Sequence, residues 1–262
     1  MSEYDVYGIG HALVDLQFAV DEAQLSALGV DKGVMTLVDG DRRRAVLDGL
    51  GVEPVNRASG GSAANTVITV ARFGGRAYYA FQVGDDDWGN FYRYDLSAAG
   101  VDNSPASQVE GDTGQCLVMV TPDADRTMNT FLGASGSMGS HQVDADTIGT
   151  SRFVYLEGYL LTTDVGMEAC EATAAAARDQ GVSVSLTLSD PSVVQAFRDR
   201  FDRLIDSGID LLFCNEDEAK ALSGSDDRDT AVSTVAGRAA SVCVTLGADG
   251  ALVASPESQS AS

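Results

Sequence analysis

The stretch from Arg57 to Gly75, RASGGSAANTVITVARFGG, sets a glycine pair and one asparagine directly against an apolar helical run. Gly60 and Gly61 carry no Cβ, so a ligand can approach the main chain there and φ can be positive. The helix that follows offers free N–H groups at its start, with Asn65 one turn in and facing the same space. Such a cradle suits a hydroxylated small molecule. A strand-to-helix turn with Ser62 as N-cap explains the same letters, so both readings stand at this point. Asp85, Asp86 and Asp87 precede a helical pattern at Trp88 and read as caps for it rather than as metal ligands.

The elements around these residues alternate. Short apolar runs at Tyr4 to Ile9, Ala77 to Val83, Phe153 to Leu156, Val182 to Leu188, Asp210 to Cys214 and Val242 to Leu246 read as strands. Between them, helical spacing covers Ala63 to Phe73, Trp88 to Ala99, Val165 to Asp179, Val193 to Ile205 and Thr230 to Ala240. This rhythm predicts an α/β fold with a mainly parallel central sheet flanked by helices, whose ligands gather at the carboxyl ends of the strands. Two regions break it. Val14 to Val20, Val34 to Val38, and Gln115 to Thr121 paired with Arg126 to Leu132 across the turn PDAD predict a small β lid drawn from residues 14–38 and 113–132. The closing residues, ASPESQSAS, are small and polar and read as a tail.

With 262 residues, 44% of them hydrophobic, the chain can bury one substantial core, and a single domain over 1–262 is expected. Acidic residues outnumber basic ones 39 to 17, for a formal charge of −22. That surface excludes a nucleic-acid or anionic-membrane partner, which needs clustered Lys and Arg, and is compatible with a salt-adapted source. No apolar run approaches the ~20 residues of a membrane span, and MSEYDVYGIG has no basic region before an apolar core, so a cytoplasmic location is expected. Cys116, Cys170, Cys214 and Cys243 lie far apart with no C-x-x-C spacing. They read as buried free thiols in a reducing compartment.

Five segments occur in a telling order: YGIGHALVD, the glycine pair with Asn65 and FGG, VGDDDWG, FCNEDEA and VTLGADG. Together they resemble the ribokinase-like (PfkB) carbohydrate kinase family over essentially the whole chain, and ALVD, RTMNTFLGAS and EGYL look most like its adenosine-kinase-like branch. The resemblance implies a kinase that uses ATP and Mg²⁺ to phosphorylate a hydroxymethyl group of a nucleoside or sugar, as a monomer or a lid-mediated homodimer. It implies that Asp15, whose carboxylate only accepts, binds sugar hydroxyls with Gly60, Gly61 and Asn65. It places His11 where members often carry Asn, either beside the pocket or in a structural role, and Glu157 at the pocket border. His141, in a loop of Gly and Ser, reads as solvent-exposed. Asn215 and Glu218, the N-x-x-E of NEDE, would organise Mg²⁺ and its waters; an ordinary capped helix start accounts for them as well. Thr245, Gly247 and Gly250 would touch the nucleotide, and a plain hairpin turn is the alternative. Arg126 is either a lid cation for a phosphate or a solvated turn residue.

The resemblance also implies a G-A-G-D segment some tens of residues after the TLGADG turn, and no G-A-G-D occurs in the 262 residues. Its aspartate would take the proton from the accepting hydroxyl, and its N–H groups would form an anion hole. Phosphoryl transfer rests almost wholly on such positioning and electrostatics. The expectation is therefore an amino-terminal portion of a kinase domain with no catalytic base of its own. A non-catalytic nucleoside- or sugar-binding module is the other class that fits.

Overall fold

A computed structural model describes residues 2–255, so the last seven residues of the expected tail, 256–262, lie outside the described residues. The strands are β1 (Tyr4–Ile9), β2 (Leu13–Ala19), β3 (Met35–Leu37), β4 (Asn56–Gly60), β5 (Ala77–Ala80), β6 (Val83–Gly84), β7 (Val101–Asn103), β8 (Gln108–Val109), β9 (Gly114–Val120), β10 (Arg126–Phe131), β11 (Ser151–Glu157), β12 (Ser183–Thr187), β13 (Leu211–Asn215), β14 (Ser241–Thr245) and β15 (Ala251–Ala254). The helices are α1 (Glu22–Leu28), α2 (Gly40–Leu50), α3 (Ser62–Arg72), α4 (Asp87–Ala98), α5 (Ala145–Gly149), α6 (Asp164–Asp179), α7 (Pro191–Ala196), α8 (Arg198–Asp206), α9 (Glu216–Ser223) and α10 (Arg228–Ala236).

Eight strands form the main sheet in the order β15-β14-β13-β12-β11-β1-β5-β7. Every neighbouring pair is parallel except β14 and β15. Parallel strands buried on both faces need apolar runs rather than strict alternation, and the sequences of β1 and β11 to β14 supply them. Helices cover the sheet on both faces. One core cluster gathers Tyr7, Ile9, Val154, Leu156 and Leu186 with Cys170 and Ala174 of α6, and the other gathers Tyr79 and Phe81 with Val67 of α3 and Leu96 of α4. Each fully buried aliphatic or aromatic side chain there contributes roughly 1.5–3 kcal/mol.

A second sheet of five strands, β3-β10-β9-β2-β4, stands apart. Its β2, β3, β9 and β10 come from the segments that interrupt the alternation; β4 joins them because Asn56 to Gly60 pair antiparallel with Leu13 to Gln17. The turn between β9 and β10 uses Pro122 to Asp125, with Ala124 at φ 65°. Alternation along β2 sends Val14, Leu16 and Phe18 into the core and Leu13, Asp15 and Gln17 to the opposite face. That parity decides which side of the sheet Asp15 faces.

Two expected elements divide. The run expected as one strand from Ala77 to Val83 ends at Ala80, and β6 leaves the main sheet to pair with β8. Buried Gln82 holds the break, donating to the Ala134 carbonyl and to Ser137 Oγ. The helix expected from Val193 to Ile205 splits at Phe197, whose φ of −120° and ψ of 29° lay its ring on the core. Asp86 caps α4 by accepting from Gly89 N–H at 2.7 Å, and Asp144 and Asp227 cap α5 and α10 in the same way. Cys116, Cys170 and Cys214 are buried free thiols and Cys243 is half-buried. Among the described residues no helix is long and apolar enough to cross a membrane.

Candidate functional site

A cavity of about 250 Å³ lies between the cavity-facing side of the small sheet and the carboxyl ends of β1 and β11. It is just below the roughly 300–1,000 Å³ usual for small-ligand pockets, so it admits one compact molecule. Asp15, Gly61 and Asn65 line it together, with His11, Ser62, Arg126, Glu157 and Tyr159. Leu13, Met35, Leu37, Val118, Met128 and Leu132 form an apolar wall. The wall follows from the same parity as Asp15, since β9 turns Cys116 and Val118 toward the cavity and Leu117 and Met119 into the core. No motif marks these wall residues. Their signal is the period of two in QCLVMV and RTMNTF, which is visible but says nothing of what lies opposite.

The glycine pair is bare for two reasons found elsewhere in the fold. A Cβ on Gly60 would overlap the Asp15 carboxylate, so Gly60 makes the space that Asp15 occupies without lining the cavity itself. Gly61 has φ 105° and ψ 144°, a region essentially reserved for glycine, and a Cβ there would overlap the His11 carbonyl oxygen. Gly61, not Ser62, is the N-cap of α3, and no side chain caps it. The Glu157 carboxylate takes that role: it accepts from the His11 N–H at 2.5 Å and is stabilised by the main-chain N–H groups of Ala63 and Ser62. The start of α3 is thus occupied by a protein carboxylate rather than left free. Gly61→Ala is expected to destabilise the fold by about 2–4 kcal/mol, the strain of that backbone region plus the overlap. Urea unfolding would show it as a lower midpoint with an unchanged slope.

Electrostatics differ among the cavity's ionisable groups. Among the described residues the Asp15 carboxylate has no hydrogen-bond partner, and burial pushes it up to about 6, while the charge of Arg126 pulls the other way. Glu157 is 1% exposed, and burial raises it to about 7 against the pull of its three N–H donors. His11 is lowered to about 4 by burial and is neutral at pH 7. Cys116 is pushed up to about 12 by burial, which keeps it a thiol. The side-chain amide of Asn65, exposed at the cavity mouth, also lacks a partner among the described residues. Arg126 opens β10 at the rim, its guanidinium unpaired among the described residues.

The remaining expected site residues collect elsewhere, at the carboxyl ends of β13 and β14, where Asn215 and Thr245 are register partners. They do not line the cavity. Asn215 caps α9 in a reciprocal box: Glu218 N–H donates to Asn215 Oδ1 at 2.8 Å, and Asn215 N–H donates to Glu218 Oε2 at 2.9 Å. The Asn215 amide also donates to Glu218 Oε1 at 3.0 Å. Burial and the nearby Asp190 and Asp217 hold Glu218 above the usual carboxylate range, against the pull of the Asn215 N–H. Gly247 at φ 59° and Gly250 at φ 93° bound the turn into β15, with open space where a Cβ would stand. Arg228 ties Glu216 to Asp249 of that turn at 2.6 and 3.3 Å. His141 is exposed, with Nε2 2.8 Å from Gln82 Oε1.

A small sheet set over the strand ends of a parallel α/β sheet, with Asp15 and Asn65 converging from positions 50 residues apart, frames the comparison with known proteins. Residues 42–261 match the profile of the pfkB family carbohydrate kinase. The chain belongs to this family. Its fold is ribokinase-like. Among solved structures, this PfkB chain superposes on adenosine kinase from Sinorhizobium meliloti with a TM-score of 0.90 and 36% identity, covering 97% of this chain and 78% of that one. A probable sugar kinase from Rhizobium etli gives a TM-score of 0.91 and 33% identity over 97% and 77% of the two chains. Guanosine-inosine kinase of Escherichia coli is 25% identical over 85% of this PfkB chain and 53% of its own length. ATP-dependent ribose-1-phosphate kinase of Halopiger xanaduensis is 32% identical over 76% of this chain and 63% of its own length. The chain therefore spans between half and two thirds of these two curated relatives.

Proposed function

We propose that the cavity binds a nucleoside and that the chemistry of the site is ATP-dependent phosphorylation of its hydroxymethyl group in the cytoplasm. The observation that carries this reading is the pair Asp15 and Asn65: an acceptor-only carboxylate and an amide, neither partnered among the described residues, on the wall of one cavity. Sugar hydroxyls donate to the first and exchange hydrogen bonds with the second. The apolar wall from Leu13 to Leu132 favours a base over water, which distinguishes a nucleoside from a free sugar. The small sheet acts as the lid, and Arg126 on its rim meets phosphate charge.

ATP is the donor in this reading, bound along the turn of Thr245, Gly247 and Gly250, where a Cβ on either glycine would meet nothing among the described residues. Mg²⁺ fits Asn215 and Glu218 only through water, because the facing atoms of the two side chains already bond each other. The ion would neutralise phosphate charge; the chain's own residues orient the hydroxyl and exclude water. A second reading, a nucleoside-binding module without phosphotransfer, rests on the same cavity.

Calorimetric titration with adenosine, inosine and ribose tests the binding step common to both. A base that buries on the order of 100 Å² of apolar surface contributes about 2–3 kcal/mol, so nucleosides are expected to bind tens of times or more tighter than ribose. Equal affinities would remove the base from the cavity.

A further inference from the structure

The turn after β14 is held from outside at one point. Its own bonds are main-chain ones: Leu246 N–H donates to the Gly250 carbonyl at 2.8 Å, and Asp249 N–H donates to the Leu246 carbonyl at 3.1 Å. A Cβ on Gly247 or Gly250 would meet nothing within 4 Å, so the two glycines stand in open space. Arg228 reaches across to this turn, with Nη1 and Nη2 each 3.3 Å from Asp249 Oδ2, and among the described residues no other side chain hydrogen-bonds it. The same guanidinium donates from Nε to Glu216 Oε2 at 2.7 Å, with Nη2 2.6 Å from that oxygen. Lys220 Nζ donates to Glu216 Oε1 at 2.7 Å. Glu216 opens α9 directly after Asn215, and Asn215 is the register partner of Thr245, where the turn begins. Four charges in a row therefore join the start of α9 to the turn, and Arg228, the first residue of α10, is the link between them.

We propose that Arg228 is a positioning residue for the nucleotide: through Asp249 it fixes the turn of Thr245 to Gly250 against α9, and so sets the affinity for ATP. The proposal rests on the nucleotide reading of that turn given above. A turn with two glycines at positive φ and open space around them loses conformational freedom when a ligand orders it, and a tether that orders it beforehand lowers that cost. A lone exposed ion pair contributes little, because long side chains must be ordered and salt screens the charges. Here Arg228 forks onto one Glu216 oxygen and Lys220 holds the other, which is the network geometry in which surface charges count. The charges of Lys220, Glu216, Arg228 and Asp249 sum to zero, so the network offers a phosphate no net attraction. Its effect is on where the turn sits.

Calorimetric titration of the intact protein with ATP and Mg²⁺ separates a tether from a direct phosphate contact. Arg228→Gln and Asp249→Asn are each expected to weaken ATP binding roughly 3- to 10-fold, and the double variant to lose no more than the larger single loss, because both changes remove the same link. Asp249→Asn decides between the roles. It deletes a negative charge near a bound triphosphate, so an arginine that met phosphate directly would bind ATP more tightly once released from Asp249. Tighter binding by Asp249→Asn, additive losses, or an unchanged affinity in Arg228→Gln would overturn the proposal. Amide hydrogen exchange without nucleotide reads the tether independently of ATP. Exchange at Asp249 and Gly250 should quicken in both variants, while the capping-box amides of Asn215 and Glu218 and the affinity for adenosine stay as in the wild type. Unchanged exchange at the turn, or faster exchange spread through α9, would refute a positioning role for Arg228. Failure of ATP to bind the wild type would overturn the nucleotide reading of the turn, and the role of Arg228 in affinity with it.

Discussion

Mixed with ATP, Mg²⁺ and adenosine, the 262-residue chain is expected to bind nucleoside yet turn over near background, far below the roughly 1–100 s⁻¹ of kinases. Transfer needs a base at the accepting hydroxyl and donors for the charge that develops on the phosphoryl group. The carboxylates near the strand ends are already committed. Glu157 is buried against the N–H groups of His11, Ala63 and Ser62. Asp190 caps α7, accepting from Ser192 N–H at 2.8 Å and Val193 N–H at 3.3 Å. The first turn of α3 faces Glu157, so it supplies no anion hole either. Loss of a single oxyanion-type donor lowers rates on the order of 10²–10³, and among the described residues neither a free helix start nor a carboxylate other than Asp15 is uncommitted at the cavity. A coupled assay with purified protein measures this. Turnover of about 1 s⁻¹ or faster would overturn the expectation and point to Asp15, the unpartnered cavity carboxylate, as the base.

Asp15→Asn is expected to weaken nucleoside binding while making the unliganded protein more stable. Burial raises the Asp15 carboxyl from 3.8 to about 6, so the folded state holds this proton more tightly than the unfolded chain does. A group with a raised folded pKa contributes stability below its unfolded value and loses it as pH rises through the folded one. The unliganded wild type therefore loses stability between pH 4 and 6 through Asp15, and the asparagine variant does not. Above pH 6 the variant should be more stable by on the order of 1–2 kcal/mol, a figure reduced for water in the open cavity; below pH 4 the difference should vanish. Binding runs the other way. An ionised carboxylate accepts more strongly than an amide, so affinity should fall roughly 10- to 100-fold and lose its dependence on pH near 6. Any pH step remaining in the variant near 7 belongs to Glu157. Thermal unfolding and calorimetry across pH 4 to 8 check both halves, and a variant that binds as tightly as wild type would take Asp15 out of the site.

Local physics was sufficient for much of this molecule. Apolar runs bounded by turn residues specify β1, β2 and β9 to β14, because strand and helix periods differ and burial of one face enforces them. Asp86 reads as a cap because its carboxylate needs only the next turn of its own helix. That Asp15, Gly61 and Asn65 would line one cavity was legible only through the order of motifs along the chain. Tertiary structure decided the rest, wherever the partner is distant. The β4 sequence NRASG has no apolar alternation, and it becomes a strand because β2 offers it an edge. Phe197 breaks a helical pattern because the core has room for its ring. Gly60 is bare on account of a carboxylate 45 residues earlier, and Gly61 on account of a carbonyl 50 residues earlier. The place of the His11 ring depends on Ser135, 124 residues away, and on a wall of side chains whose spacing promised only burial. A sequence carries the propensities that act within a turn or two, whereas a binding site is made of groups left unsatisfied after the whole chain has packed.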